Sequence, residues 1–136
     1  MNKTEFIYKV ALAGEGKTKW LVGCAHAEIE AHAGNHVVPP VVFFTKVPRK
    51  YAEFAENYYA RTHKLFACRI ATSTAEIAEG DVVLIDDWQN DFISGKDLRA
   101  LVDVASKVYI TVEGKLDDNW DISFDPDQLS IFDTVN

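Results

Sequence analysis

A chain of 136 residues that is 48% hydrophobic and 26% charged holds enough apolar side chain for one packed core, which excludes global disorder. Twenty-one acidic against 14 basic side chains give a formal charge of -7, so a broad basic surface for a phosphodiester backbone is not expected and nucleic-acid binding is not indicated. Cys24 and Cys68 belong to no paired motif, which points to a reducing compartment with the cytoplasm as the expectation, and no apolar run is long enough to predict a leader or a membrane span.

Along the chain, short apolar runs alternate with amphipathic ones. Phe6 to Leu12 predicts a strand that closes on Gly14-Glu15-Gly16, and Lys17 to Ala33 predicts a helix ended by Gly34 and Asn35. Val41 to Thr45 reads as a strand, with Pro39-Pro40 before it and Pro48 after it. The spacing of Tyr51, Phe54, Ala55, Tyr58 and Tyr59 predicts a helix over 49–63, followed by a strand over 64–71. Ser73 or Thr74 would cap a short helix that ends at Gly80-Asp81. Val82 to Ile85 is four aliphatic residues in a row ahead of Asp86-Asp87, the pattern of a strand buried on both faces with carboxylates at its carboxyl end. A helix over 96–106 and a strand over 107–112 complete the series. No linker or repeat divides the chain, so one domain over 1–136 is expected, with 115–136 as a C-terminal tail. Strands alternating with helices predict an α/β fold of three layers, a mostly parallel sheet of about five strands with helices on both faces and ligands at the carboxyl ends of the strands.

Ala11-Leu12-Ala13-Gly14-Glu15-Gly16-Lys17-Thr18 fits the relaxed phosphate-loop pattern [AG]-x-x-x-x-G-K-[ST] and lies between a predicted strand and a predicted helix. Glycines let successive N–H groups turn toward phosphate oxygens, the lysine reaches the outer phosphates, and the hydroxyl at the helix start suits magnesium. Gly14, Glu15, Gly16, Lys17 and Thr18 are therefore the candidate nucleotide-binding residues. Ala11 stands where the first glycine is usual, and Glu15 brings a negative charge that is expected to face solvent. Val82 to Asp87 has the form of the second phosphate-loop signature, hydrophobes followed by acid. Asp86 with Thr18 would hold magnesium, and Lys17 with Asp87 would be catalytic, Asp87 as the base that orients a water or hydroxyl.

On these two segments the chain resembles the P-loop NTPase superfamily, whose fold the whole pattern would share. Ile85-Asp86-Asp87-Trp88-Gln89-Asn90-Asp91-Phe92 also resembles the Ile-Asp-Glu-x-Gln-Phe-Phe segment of the thymidine kinase family. Glu113 to Asp117 is similar to that family's strand plus Gly-Leu-Asp, Phe124, Leu129, Asp133 and Val135 fall roughly where its later Phe, Leu and Ala-Asp-x-Val lie, and Thr62-His63 resembles its Ser-His before the third strand. The family closes over its nucleoside with a zinc-bound lasso built on four cysteines, whereas this chain has two. The resemblance therefore implies a reduced P-loop protein that binds Mg2+ and ATP, or another NTP, with hydrolysis or phosphoryl transfer. A homo-oligomer could supply an arginine from a neighbour.

An alternative is a degenerate, non-catalytic P-loop protein that docks on a partner. Gln128-Leu129-Ser130-Ile131-Phe132 resembles the peptide by which bacterial replication proteins bind the sliding clamp. The same residues also suit packing on the protein's own core. Glu28 and His32, four apart, could be drawn with His26, Glu30 and His36 as a metal cluster, but the expectation is solvent-facing helix residues, with His36 past the Gly34 cap. Trp20, Leu21 and Cys24 follow helical spacing and are expected in the core, as is the Tyr51, Phe54, Tyr58, Tyr59 stripe. Asp117, Asp118, Asp121, Asp125 and Asp127 read as a solvated acidic loop, lacking the spacing and closing Glu of a calcium loop.

Overall fold

Val82, Val83, Leu84 and Ile85 are all inaccessible to solvent, and the sheet they belong to explains why. The computed structural model describes residues 4–11, 14, 16–34, 40–88 and 92–113. In chain order its elements are β1 (Glu5–Ala11), α1 (Lys17–Ala31), β2 (Val41–Phe44), α2 (Pro48–Thr62), β3 (Arg69–Ala71), a 3-10 turn (Thr74–Glu76), β4 (Val82–Ile85), α3 (Gly95–Leu101) and β5 (Lys107–Glu113). The five strands form one sheet in the order β1-β5-β4-β2-β3, and every pairing is parallel.

Parallel strands need crossover connections, and here these are helices that cover both faces. Alternate residues of each strand go to opposite cores. Val41, Phe43, Val82, Leu84 and Tyr109 meet Leu21, Val22 and Ala25 of α1 and Phe54 and Tyr58 of α2. Val42, Phe44, Val83, Ile85 and Ile110 meet Leu98 and Leu101 of α3 together with Trp88 and Ile93. A strand with a core on each side disfavours polar residues that lack a partner, which is why β2 and β4 are uninterrupted hydrophobes. At the sheet edge β1 shows the contrast: Phe6, Tyr8 and Val10 are buried on one face, while Glu5 and Lys9 on the other are exposed.

Several expectations need correction. The short helix expected from Ser73 to Gly80-Asp81 is only the 3-10 turn Thr74–Glu76, since Ile77 is already extended and buried. The strand expected over 64–71 forms only at Arg69–Ala71, because β2 offers it just Val42 to Phe44 as partners. Upstream of it the Cys68 carbonyl accepts the Tyr51 hydroxyl at 2.6 Å instead of a ladder N–H. The helix expected over 96–106 stops at Leu101, since the buried Thr4 hydroxyl accepts the Asp103 N–H at 2.8 Å and donates to the Ala105 carbonyl at 2.7 Å, drawing the chain out of helical geometry with Asp103 at φ 69°. Trp20 and Cys24 are only half-buried, whereas Leu21 beside them is in the core; likewise Tyr59 is exposed while Phe54 and Tyr58 are buried. The Gln128–Phe132 peptide and the 115–136 tail lie outside the described residues. Among the described residues no helix is long and apolar enough to cross a membrane.

Candidate functional site

At the carboxyl end of the sheet the chain passes from β1 to α1 through Gly14 and Gly16, at φ 82° and 88°. Side chains pay roughly 1–2 kcal/mol for that left-handed geometry, so the turn needs glycine at both places. Glu15 lies outside the described residues. Gly16 caps α1, its carbonyl accepting the Trp20 N–H at 2.9 Å, so Lys17 and Thr18 open the helix. The first N–H groups of a helix have no intrahelical acceptor, and no acidic residue stands in this first turn to answer them.

Opposite this helix start, β4 ends in Asp86. Although β5 lies between β1 and β4, the Thr18 hydroxyl donates to Asp86 Oδ2 at 3.0 Å. The other oxygen, Oδ1, accepts the hydroxyl of Thr111, a fully buried residue of β5, at 2.8 Å. Thr111 Oγ1 in turn accepts the Asp87 N–H at 2.6 Å. Lys50, from the first turn of α2, donates from Nζ to the Asp86 carbonyl and, at 3.5 Å, to that of Asp87. Asp87 itself is held at φ 54°. The Lys17 side chain is only 10% exposed, and its ammonium stands 3.9 Å from both Asp87 Oδ1 and Glu113 Oε1.

The described residues expected at the site thus come together: Gly14, Gly16, Lys17 and Thr18 on one side and Asp86 and Asp87 on the other. Thr111, Lys50 and Glu113 complete the cluster, and the sequence pattern does not single them out. Thr111 is the sole aliphatic hydroxyl in the Val108–Val112 run, which is the one signal that could have marked it. A hydroxyl paired with one carboxylate is a donor set that suits magnesium, which keeps several waters and takes the rest of its ligands from phosphate.

The histidine-rich face of α1 has other employment. His26 Nδ1 lies 3.2 Å from the Tyr58 hydroxyl. Glu28, expected to face solvent, is instead buried, because it accepts from Tyr109 Oη at 2.6 Å and Lys107 Nζ at 2.9 Å. Burial would raise the Glu28 carboxyl, but those two hydrogen bonds and the Lys107 charge hold it below the ordinary carboxylate range. Burial and then the bond to Glu28 push the Tyr109 phenol up. Among the described residues no three His, Cys, Asp or Glu side chains are grouped to hold a metal ion.

Beside the helix start runs a groove of about 610 Å3, lined along α1 by Gly16, Lys19, Trp20, Gly23, Cys24 and Ala27 and across from it by Lys9 and Tyr109. Burial, and next the Glu28 carboxylate, push the Cys24 thiol up to about 11, so it lines the groove as a neutral group at pH 7. No protein-family model, curated protein or solved structure matches this chain.

Proposed function

We propose that the protein is a magnesium-dependent nucleotide-binding protein of the P-loop NTPase kind, which hydrolyses ATP or another NTP or transfers its terminal phosphate. The observation that carries this reading is the 3.0 Å bond between Thr18 at the start of α1 and Asp86 at the end of β4, beside a turn whose two glycines both have positive φ. Two residues 68 apart in sequence converge on one point at the carboxyl end of a parallel sheet, where ligands of this architecture bind.

The N–H groups of Gly16, Lys17 and Thr18 supply donors for phosphate oxygens, and the helix dipole favours the anion there. Lys17 exchanges its two long ion pairs for the outer phosphates. Thr18 and Asp86 would hold magnesium, which when bound supplies charge neutralisation at the phosphates. Asp87 orients the attacking water or acceptor hydroxyl and takes its proton. A cytoplasmic setting, where ATP and magnesium are abundant and thiols stay reduced, suits this chemistry and the free Cys24 and Cys68.

Calorimetric titration with Mg-ATP, paired with a phosphate-release assay, tests the reading. Wild type binds, Lys17→Ala binds at least tenfold more weakly, and Asp86→Asn loses the magnesium dependence. Unchanged affinity in Lys17→Ala would remove the proposal.

A further inference from the structure

We propose that the groove along α1 seats the base and ribose of the bound nucleotide, so that the ligand is a nucleoside polyphosphate and not an inorganic polyphosphate. The proposal rests on the phosphate site described above and says what lies beyond it. The groove and the anion site share Gly16, so a ligand whose phosphates meet the first N–H groups of α1 can lay its remaining part into the groove. Trp20 is four residues further along, about 6 Å on the helix axis, a span a ribose can bridge.

The groove also has the makings of a base site. Its volume of about 610 Å3 falls within the ordinary range for small-molecule sites, roughly 300–1,000 Å3. Trp20 is half-buried, with its ring edge-on to Tyr109 at 6.1 Å and 66°. Tyr109 is fixed in turn by its hydrogen bond to the buried Glu28. The indole is therefore positioned before any ligand arrives, which lowers the entropic cost of stacking. Space is available: a Cβ placed at Gly16 or at Gly23 would meet no atom within 4 Å. Lys9 and Lys19 set two cations on the groove walls, suited to the phosphate nearest the ribose.

The comparison of ATP with tripolyphosphate, each with magnesium and the full chain, separates the two parts of the site. Base–aromatic stacking contributes enough for wild type to bind ATP about tenfold more tightly than tripolyphosphate. Trp20→Ala is expected to bring ATP down to the tripolyphosphate level, with Trp20→Phe retaining most of the difference. Gly23→Leu provides a variant with an intact fold, because the position is exposed, helical and open; it should melt no lower than wild type and still lose the preference for ATP. Lys17→Ala weakens both ligands alike. Equal affinity of wild type for the two ligands, or equal losses for both in Gly23→Leu, would overturn the groove assignment and leave the phosphate site standing. Absence of binding by either ligand would overturn both.

Discussion

Asp87 illustrates how one backbone angle reshapes a chemical reading. In the proposed P-loop reading a glutamate is the more frequent base at this position, and the shorter acid looks at first like a loss of reach. At φ 54°, however, the position favours residues that tolerate the left-handed region, and Asp is among the few that do. Its amide is tied to Thr111 and its carbonyl to Lys50, so the surroundings over-determine the conformation. Thr111→Val keeps the shape of the side chain and removes the hydroxyl that serves Asp86 and Asp87 together. The expected cost is about 2 kcal/mol, read from the denaturant midpoint, because a buried acceptor and donor are left unsatisfied. An unchanged midpoint would show that the hydroxyl is not what fixes the turn. Gly14, Gly16, Lys17, Thr18 and Asp86 were legible because their chemistry repeats a spacing. Lys50, Thr111 and Glu113 were not, because their roles come from register across strands and no spacing encodes that.

Elements were legible in kind more than in extent. The five strands and the three longer helices read from periodicity are present, since apolar spacing is set by the same two-sided burial that builds the layers, whereas the short helix expected after Ser73 is only a 3-10 turn. Ends were harder, because they are decided by partners far away in sequence: Thr4 stops α3, and the short β2 limits β3. Helix α3 is only 7 residues long and depends on its start. The Ser94 hydroxyl accepts the Asp97 N–H at 3.1 Å while the Asp97 carboxylate accepts the Ser94 N–H at 2.9 Å. Ser94→Ala opens that reciprocal cap and should cost about 1 kcal/mol in chemical denaturation, with faster amide exchange at the start of α3. Protection equal to wild type there would mean that packing of Leu98 and Leu101 alone holds the helix.

Across the whole molecule, the layers are joined at the amino end of the sheet by a charged pair. Glu28 of α1 is held below its ordinary range, so its contribution to stability is present above about pH 4.3 and is lost as pH falls through the folded value. Lys107 of β5 is raised by its bond to Glu28, so its contribution is present below about pH 10 and is lost as pH rises through its folded value. Glu28→Gln should therefore lower Tm by about 6 °C at pH 7, corresponding to about 2 kcal/mol for a charge-assisted hydrogen bond with a half-exposed lysine. Below about pH 4 the two proteins should converge; a gap of the same size at pH 3 would contradict the charged pairing. The strand order has a further consequence during synthesis. Among the described residues β1 is hydrogen-bonded to β5 alone, so during synthesis β1 waits, unzipped, until Lys107–Glu113 has been made. Until residue 113 has cleared the exit tunnel β1 has no ladder to join, so the segment that carries Lys17 and Thr18 is fastened opposite Asp86 only once β5 has been added.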